Sequence, residues 1–130
     1  MTLKPLHELK YLEIGRHGIY YIYLIDKHKN PCVINRFLKS DKTGLLYIGA
    51  AERTTLKYRL NSFLNSMSAG RRQNNHSGGN KIFVNPSLAN HINKHFLFFG
   101  FEESENAKEL ERIKLSEYRI EFGEAPPLNG

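Results

Sequence analysis

The sequence feature that most constrains the fold is a group of three strand-forming segments, joined by very short connections, in the first half of the chain. Residues 18–25 are mostly β-branched or aromatic and predict a buried strand. Residues 33–38 predict a second strand, and residues 45–48 predict a third that Gly49 ends. The gaps hold turn-forming residues and are too short for a crossover helix, so we expect the strands to pair antiparallel.

Helical periodicity begins after the third predicted strand. Thr54 and Thr55 are the candidate N-caps. Five apolar residues then recur at helical spacing: Leu56, Leu60, Phe63, Leu64 and Met67. Residues 70–80 show no periodicity and include two arginines, and they predict a flexible basic loop.

The last third of the chain predicts a short helix, a strand and a long helix. Residues 85–86 (Asn-Pro) are typical of a helix start, and this helix is expected to run to about residue 95. Residues 96–101 predict an aromatic strand. Ser104 is the candidate cap of the final helix, which Gly123 is expected to end.

This order of elements predicts a small α/β (α+β) sandwich with a mainly antiparallel sheet flanked by helices. The 130 residues have room for one hydrophobic core, and they contain no internal repeat or linker. We therefore expect residues 1–130 to form a single domain. A hydrophobic fraction of 40% and a charged fraction of 25% are ordinary for a globular domain, which argues against wholesale disorder.

Charge is distributed unevenly along the chain. The net charge is +6, yet no acidic residue occurs between Glu52 and Glu102, and eight of the 13 acidic residues lie in residues 102–124. Seven basic residues occupy the acid-free segment: Arg53, Lys57, Arg59, Arg71, Arg72, Lys81 and Lys94. Such a segment suits a polyanion, because lysine and arginine release condensed counterions from phosphates. A solvated face of a mildly basic protein explains it equally well.

The composition also bears on location. No apolar run approaches the roughly 20 residues that cross a bilayer, and the N-terminal residues alternate leucines with charges, unlike a signal peptide. Cys32 is the single cysteine, which excludes an internal disulfide and a multi-cysteine zinc site. We therefore expect a cytoplasmic protein without a membrane partner.

Glu111 does not fit its surroundings in the final predicted helix. At about 100° per residue it lies at the centre of an apolar face. Four residues form this face: Ala107, Leu115, Tyr118 and Phe122. Burying a carboxylate costs several kcal/mol unless a basic partner, a bound cation or a raised pKa compensates. A structural ion pair with Lys114 and a functional carboxylate are both open interpretations.

Two tyrosine tripeptides stand in order on predicted strands: residues 18–20 (Gly-Ile-Tyr) and residues 47–49 (Tyr-Ile-Gly). Arg59 follows on the next helix. The pattern continues in the final helix and the tail with ten more residues: Ala107, Leu110, Glu111, Leu115, Tyr118, Gly123, Pro126, Pro127, Leu128 and Asn129. In this order the residues resemble the GIY-YIG endonuclease family, as a small standalone member, over about residues 16–129. The resemblance implies a central three-stranded antiparallel sheet flanked by helices, here with an extra strand inserted between the tripeptides and a short extra helix.

The resemblance implies a role for five positions. Glu111 would be the single protein ligand of one Mg²⁺ or Mn²⁺, with waters and substrate phosphate completing its shell. Tyr20 would activate or orient the attacking water, which requires nearby positive charge because an unperturbed tyrosine has a pKa of about 10. Tyr47 would position water or phosphate, and Arg59 would stabilise charge on the pentavalent phosphorus. Asn129 would hydrogen-bond within the site and hold the glutamate or the backbone in place.

Some positions depart from the family pattern. Phe63 stands one turn after the arginine, where many members have histidine, and Ala50 follows the second tripeptide, where some have lysine. His76 is a candidate replacement for proton transfer or a DNA contact, although a loop histidine is more often merely solvated. His91 and His95 have the spacing of zinc ligands but no evident third ligand, so a polar helix face explains them better.

Resemblance and charge together predict a divalent-metal-dependent endonuclease that hydrolyses DNA phosphodiesters through one metal ion. Six residues are the expected DNA contacts: Arg53, Lys57, Arg71, Arg72, His76 and Lys81. The sequence contains no helix-turn-helix or zinc-finger pattern, so a targeting protein partner, selectivity for a DNA structure or the inserted loops would have to supply specificity. A homo-oligomer is a further possible partner. One alternative is a nucleic-acid-binding module of the same fold that has lost catalysis, motivated by Phe63 and Ala50. A structural or protein-interaction domain is the other.

Overall fold

A computed structural model describes residues 2–69 and 76–130. Its strands are β1 (Lys4–Pro5), β2 (Gly18–Leu24), β3 (Ile34–Asn35), β4 (Ser40–Asp41), β5 (Leu45–Ala51) and β6 (Leu97–Glu103). Its α-helices are α1 (Leu56–Ala69), α2 (Ser77–Val84), α3 (Pro86–His91) and α4 (Ala107–Phe122). Short 3₁₀ helices cover Leu6–Tyr11 and Lys94–Phe96. This mixture of helices and antiparallel strands confirms the predicted α/β (α+β) class.

The main sheet is antiparallel throughout, with the strand order β1–β6–β2–β5. Its three long strands are those that the sequence predicts, and β2 lies between the other two. The predicted end of the third strand at Gly49 is wrong, because β5 continues to Ala51, paired with β2. β1 is a two-residue addition at the outer edge of β6. Hydrophobic alternation could not indicate it, because a lysine followed by a proline has no strand pattern.

The predicted strand at residues 33–38 is wrong in extent and in its partner. Only β3 is extended there, and it pairs with β4 in a separate two-stranded hairpin. The main sheet offers no place for it, because β2 has a neighbour on each side and the outer edge of β5 binds the end of the chain, where Leu128 N–H donates to the Leu46 carbonyl at 2.9 Å. The hairpin is held to α4 instead, since the buried Asp41 carboxylate accepts a hydrogen bond of 2.7 Å from the Tyr118 hydroxyl.

Side-chain alternation along β2 divides the core into two layers. Tyr20 and Ile22 point into the larger layer, which also contains residues of α1, α2 and the first 3₁₀ helix. Ile19 and Tyr21 point into the layer under α4. All four side chains are buried. The candidate catalytic residue Tyr20 therefore lies on the α1 side of the sheet.

Helix α1 follows the predicted pattern. The Thr55 hydroxyl accepts the Tyr58 N–H at 3.1 Å, so Thr55, and not Thr54, caps the first turn. The apolar stripe lies inward, with Leu56, Leu60 and Phe63 fully buried.

The predicted loop at residues 70–80 is wrong for its last residues, because α2 begins at Ser77 with His76 as its N-cap. The first turn of α2 contains Gly78 and Gly79, which have no side chains to form a helical hydrophobic pattern. Residues 70–75 lie outside the described part of the chain, so the remainder of this prediction is not tested.

Asn85 caps α3 as predicted, since its side chain accepts hydrogen bonds from the N–H groups of Ser87 and Leu88. The helix ends at His91, earlier than the predicted residue 95, and a separate 3₁₀ turn follows. No helix in the described residues is long and apolar enough to cross a lipid bilayer.

The start of α4 differs from the prediction. Ser104 is not its cap, because its hydroxyl accepts the Asn106 N–H at 3.0 Å and the helix begins only at Ala107, with Asn106 in the N-cap position. The Glu52 carboxylate, from the loop after β5, accepts the Lys108 N–H at 3.3 Å. A side chain from another element therefore serves the first turn of α4. Gly123 ends the helix as predicted, with a left-handed φ of 82°.

Candidate active site

Tyr20 and Tyr47 lie side by side on the α1 face of the sheet. They belong to neighbouring antiparallel strands, in which Tyr20 pairs with Gly49 and Ile22 pairs with Tyr47. This diagonal relationship places the centroids of the two tyrosine rings 6.0 Å apart. The pairing of β2 with β5 thus joins the two tyrosine tripeptides into one site.

Gly49 is needed here for space. A Cβ atom added at this position would lie well inside the van der Waals distance of Tyr20 Cζ and Oη. The Tyr20 ring therefore lies directly over the backbone of β5, and its exposed fraction is 0%. The glycine lets the ring occupy a position that any other residue would block.

His76 completes a buried aromatic cluster with the two tyrosines. Its Nε2 atom lies 2.8 Å from the Tyr20 hydroxyl oxygen, and its ring centroid lies 5.1 Å from that of Tyr47. Phe63 packs edge-on against the imidazole, with centroids 5.2 Å apart. The exposed fraction of His76 is 0%, so it presents no surface to DNA in this structure. His76 is a residue of the tyrosine site and not a solvated loop histidine.

Burial sets the ionisation of this cluster. It raises the pKa of Tyr20, which Tyr47 raises further, while the Arg59 guanidinium acts to lower it. Burial is also the main cause of the raised pKa of Tyr47. Burial, followed by the Arg59 charge, lowers the pKa of His76 to about 3. At neutral pH the cluster therefore consists of two neutral phenols and a neutral imidazole.

Glu111 lies half-buried on α4, on the apolar face that the sequence predicts. Burial raises the pKa of its carboxyl group, and the positive charges of Lys108 and Arg59 act in the opposite direction. The described residues form three ion pairs: Arg36–Glu124, Lys39–Glu121 and Arg112–Glu109. The alternative ion pair between Glu111 and Lys114 is therefore not formed. Nearby positive charge offsets the burial of this carboxylate only in part, a condition that a bound cation would relieve.

Arg59 connects the two sides of the site. From α1 its charge opposes the rise in the pKa values of both Tyr20 and Tyr47. It also opposes the rise in the pKa of Glu111 on α4. Glu111 in turn raises the pKa values of the two tyrosines. Each of the four candidate residues therefore influences the ionisation of another member of the group.

A cleft of about 420 Å³ opens beside Arg59. Six residues line it: Ala50, Glu52, Arg53, Thr54, Arg59 and Lys108. Three of these residues are basic and one is acidic, so the lining favours an anion. Sequence reasoning missed Lys108, although its i, i+3 spacing to Glu111 on one helix face was a usable signal. It could not have found Glu52, whose contact with α4 joins residues 56 positions apart.

Asn129 binds the backbone of β5. Its Oδ1 accepts the Ile48 N–H at 2.9 Å, and its Nδ2 donates to the Ile48 carbonyl at 2.8 Å. Ile48 lies between Tyr47 and Gly49, so these two bonds fix the segment that holds the second tyrosine. The structure thus places Asn129 as a positioning residue, in keeping with the expectation that it holds the backbone in place.

The remaining predicted DNA contacts are separated by the fold. Arg53 lines the cleft. Lys57 donates to the Leu12 carbonyl at 3.0 Å, and Lys81 donates to the Leu128 carbonyl at 3.1 Å. Both ammonium groups therefore have backbone partners in this chain, which use part of their donor capacity. Two further predicted contacts lie outside the described residues: Arg71 and Arg72.

Among residues 2–69 and 76–130, no group of three or more histidine, cysteine, aspartate or glutamate side chains is arranged to hold a metal ion. A Mg²⁺ ion that keeps most of its waters and binds substrate phosphate needs only one protein carboxylate. Glu111 suits that kind of site, because burial disfavours its charged form, and because the two cations that influence its pKa, Lys108 and Arg59, line the cleft.

Comparison of the chain with protein-family models, with curated proteins and with solved structures finds no match. A functional assignment therefore depends on the residues and the geometry of the site itself.

Proposed function

We propose that this protein is a divalent-metal-dependent endonuclease that hydrolyses DNA phosphodiester bonds in the cleft beside Arg59. The observation that supports this most directly is the neighbourhood of Glu111. This half-buried carboxylate forms no ion pair among the described residues, and it influences the pKa of Tyr20. The two cations that act on its own pKa, Lys108 and Arg59, line a cleft with a basic lining. The resemblance of the two tyrosine tripeptides to the GIY-YIG endonucleases gives independent support.

Glu111 would hold the Mg²⁺ or Mn²⁺ ion, which supplies Lewis-acid polarisation of the scissile phosphate. No other carboxylate of the described residues takes part in the proposal, since Glu52 accepts a hydrogen bond from the first turn of α4. A single-carboxylate site leaves the other coordination positions to water and to phosphate oxygens.

Arg59 would stabilise the extra negative charge that develops on the pentavalent phosphorus. A guanidinium can do this through two parallel N–H donors, which a lysine cannot reproduce. Arg53 and Lys108, which line the same cleft, would bind the flanking phosphates. These contacts position the nucleic acid without reading its sequence.

Tyr47 would orient the attacking water through its hydroxyl group, and Tyr20, whose side chain is fully buried in this structure, would contact that water only if the site opens. Burial holds both in the neutral form, which suits orientation, while the charge of Arg59 favours the loss of a proton from Tyr20. The activation of water by Tyr20 would therefore depend on positive charge around it. Asn129 would keep Tyr47 in place through Ile48.

A plasmid-nicking assay tests the proposal. The purified chain is expected to nick supercoiled DNA with Mg²⁺ or Mn²⁺ and to be inactive in EDTA. Glu111→Gln and Arg59→Lys should each lower the rate by about 100-fold or more. Glu117→Gln, which neutralises an exposed carboxylate of the same helix, is the matched control and should retain activity. Loss of nicking in Glu111→Gln purified in the same way excludes a contaminating nuclease. Equal rates for the wild type and Glu111→Gln would show that the assignment is wrong.

A second candidate function is a nucleic-acid-binding module of the same fold without catalysis. The specific observation that favours it is the raised pKa of Tyr20, for which burial is the main cause, together with a phenylalanine at position 63. This alternative predicts that labelled duplex DNA binds with an affinity that falls steeply with salt, and that no cation supports cleavage.

We also propose a cytoplasmic location, where a DNA substrate would be accessible and a single free cysteine would stay reduced. A targeting protein partner or a second copy of the chain would supply sequence preference, because the proposed contacts bind phosphates. Analytical ultracentrifugation with and without DNA would measure the oligomeric state.

A further inference from the structure

The imidazole of His76 makes two hydrogen bonds that differ in kind. Its Nδ1 atom lies 3.3 Å from the backbone nitrogen of Gly79, whose N–H it accepts as the N-cap of α2. Its Nε2 atom lies 2.8 Å from the hydroxyl oxygen of Tyr20. The His76 backbone N–H donates to the Ser66 hydroxyl at 3.1 Å, so the residue is anchored at both its backbone and its ring.

The bond to Gly79 decides which ring nitrogen of His76 has the proton. A backbone N–H can only donate, so Nδ1 must be unprotonated to accept it. A neutral imidazole has one protonated nitrogen, which must then be Nε2. The opposite tautomer would place two N–H groups against each other and would leave a buried donor at the start of α2 without a partner.

We infer that His76 is a positioning residue that donates its Nε2–H to the Tyr20 oxygen, and thereby turns the Tyr20 hydroxyl proton away from the imidazole. The tautomer follows from the contacts of His76 alone. Its consequence for catalysis rests on the proposed nuclease function. In this arrangement His76 does not accept the Tyr20 proton, and it stabilises negative charge on the Tyr20 oxygen by donating to it.

The groups around Tyr20 agree with this direction. Arg59, whose charge also acts on the hydroxyl, is a donor without an acceptor, so neither it nor His76 can receive the Tyr20 proton. The Tyr20 hydroxyl proton is therefore directed away from both His76 and Arg59.

A long-range ¹H–¹⁵N correlation spectrum of the full chain, without metal or DNA, tests the tautomer directly. The resonances of His76 are assigned by their disappearance in His76→Asn. We expect the pattern of a neutral ring protonated at Nε2, with no change between pH 7 and pH 5. A ring protonated at Nδ1, or a doubly protonated ring at pH 7, would overturn the inference. This experiment does not depend on nuclease activity, so its failure is distinct from failure of the proposed function.

Two substitutions separate positioning from helix capping. Asparagine at position 76 can still accept the Gly79 N–H, because asparagine is a favoured N-cap, but it is too short to donate to Tyr20. Glutamine can place an amide N–H near the position of Nε2. We expect His76→Asn to lower kcat in the nicking assay by about 10-fold or more with little change in KM, and His76→Gln to recover part of that loss.

His91→Asn, which changes an exposed histidine on α3, is the control and should behave as the wild type. Equal kcat values for His76→Asn and the wild type would overturn the positioning role, and so would a larger loss in His76→Gln than in His76→Asn. If the wild type does not nick DNA under any condition, the proposed function fails while the spectrum still decides the tautomer.

Discussion

Tyr20 and Gly49 face each other directly across β2 and β5, and the tyrosine ring occupies the space that a side chain on Gly49 would fill. This relationship explains why a tyrosine in one tripeptide occurs with a glycine in the other. The ring is fully buried over the backbone of β5, and its hydroxyl reaches His76. The position of the Tyr20 hydroxyl therefore depends on the lack of a side chain at Gly49, 29 residues further along the chain.

Gly49→Ala should displace the Tyr20 ring and disable the site. The added Cβ atom would overlap the ring, and overpacking of this kind costs about 1–3 kcal/mol. Urea denaturation should show this loss of stability, and nicking activity should fall by more than stability alone explains. Gly130→Ala is the matched control, because a Cβ atom there meets nothing within 4 Å. A variant with wild-type activity and an unmoved Tyr20 ring would contradict the role given to this contact.

Glu111→Gln should separate stability from activity. Burial raises the pKa of the Glu111 carboxyl group, so the charged form is disfavoured in the folded state, and its removal should leave the melting temperature at pH 7 unchanged or higher. Nicking should be lost, because glutamine does not replace a charged ligand. Thermal denaturation and the nicking assay measure the two effects, with Glu117→Gln as the control. A clear fall in the melting temperature would indicate that this carboxylate stabilises the fold.

The two cations beside Glu111 should control its titration. The positive charges of Lys108 and Arg59 both oppose the rise that burial causes in the pKa of its carboxyl group, and Lys108 has the larger influence. Lys108→Gln and Arg59→Gln should therefore raise that pKa further, as measured by ¹³C NMR of the side-chain carboxyl carbon. Arg119→Gln, which changes an exposed residue in the last turn of α4, is the control. An unchanged titration in Lys108→Gln would show that the lysine does not face the site.

His76 should make the protein less stable in acid. Its pKa is about 3 in the folded chain and 6.5 in its ordinary state, so between these values the unfolded chain binds one more proton. The free energy of unfolding should consequently fall by about 1.4 kcal/mol per pH unit from this group as pH decreases below 6.5. Urea denaturation at several pH values measures the slope. The slope should be smaller in His76→Asn and unchanged in His91→Asn.

Asn129→Ala should loosen β5. It removes two hydrogen bonds to the Ile48 backbone, which together contribute about 1–3 kcal/mol. Hydrogen exchange at the Ile48 N–H should accelerate, and nicking should decrease because Tyr47 is the next residue. Asn65→Ala, on the exposed side of α1, is the control. Unchanged exchange at Ile48 would contradict the positioning role of Asn129.

Local patterns in the sequence were sufficient for the main elements of the fold. The β-branched and aromatic runs predict the three long strands, because alternation records which residues are buried in a sheet. The position of Glu111 among apolar residues of α4 is a pattern of the same local kind, and its half-burial confirms that prediction. The prediction that Tyr20, Tyr47 and Arg59 belong to one site with Glu111 came from the resemblance to the GIY-YIG endonucleases and not from periodicity.

Only the tertiary structure decided how residues distant in sequence meet. β2 has β5 on one side and β6 on the other, and the outer edge of β5 binds the end of the chain. β3 therefore pairs in a separate hairpin. Glu52 binds the first turn of α4, and His76 reaches Tyr20 across 56 residues. Hydrophobic periodicity specifies which face of an element is buried. It does not specify which element will cover that face, and polar contacts such as these depend on that choice.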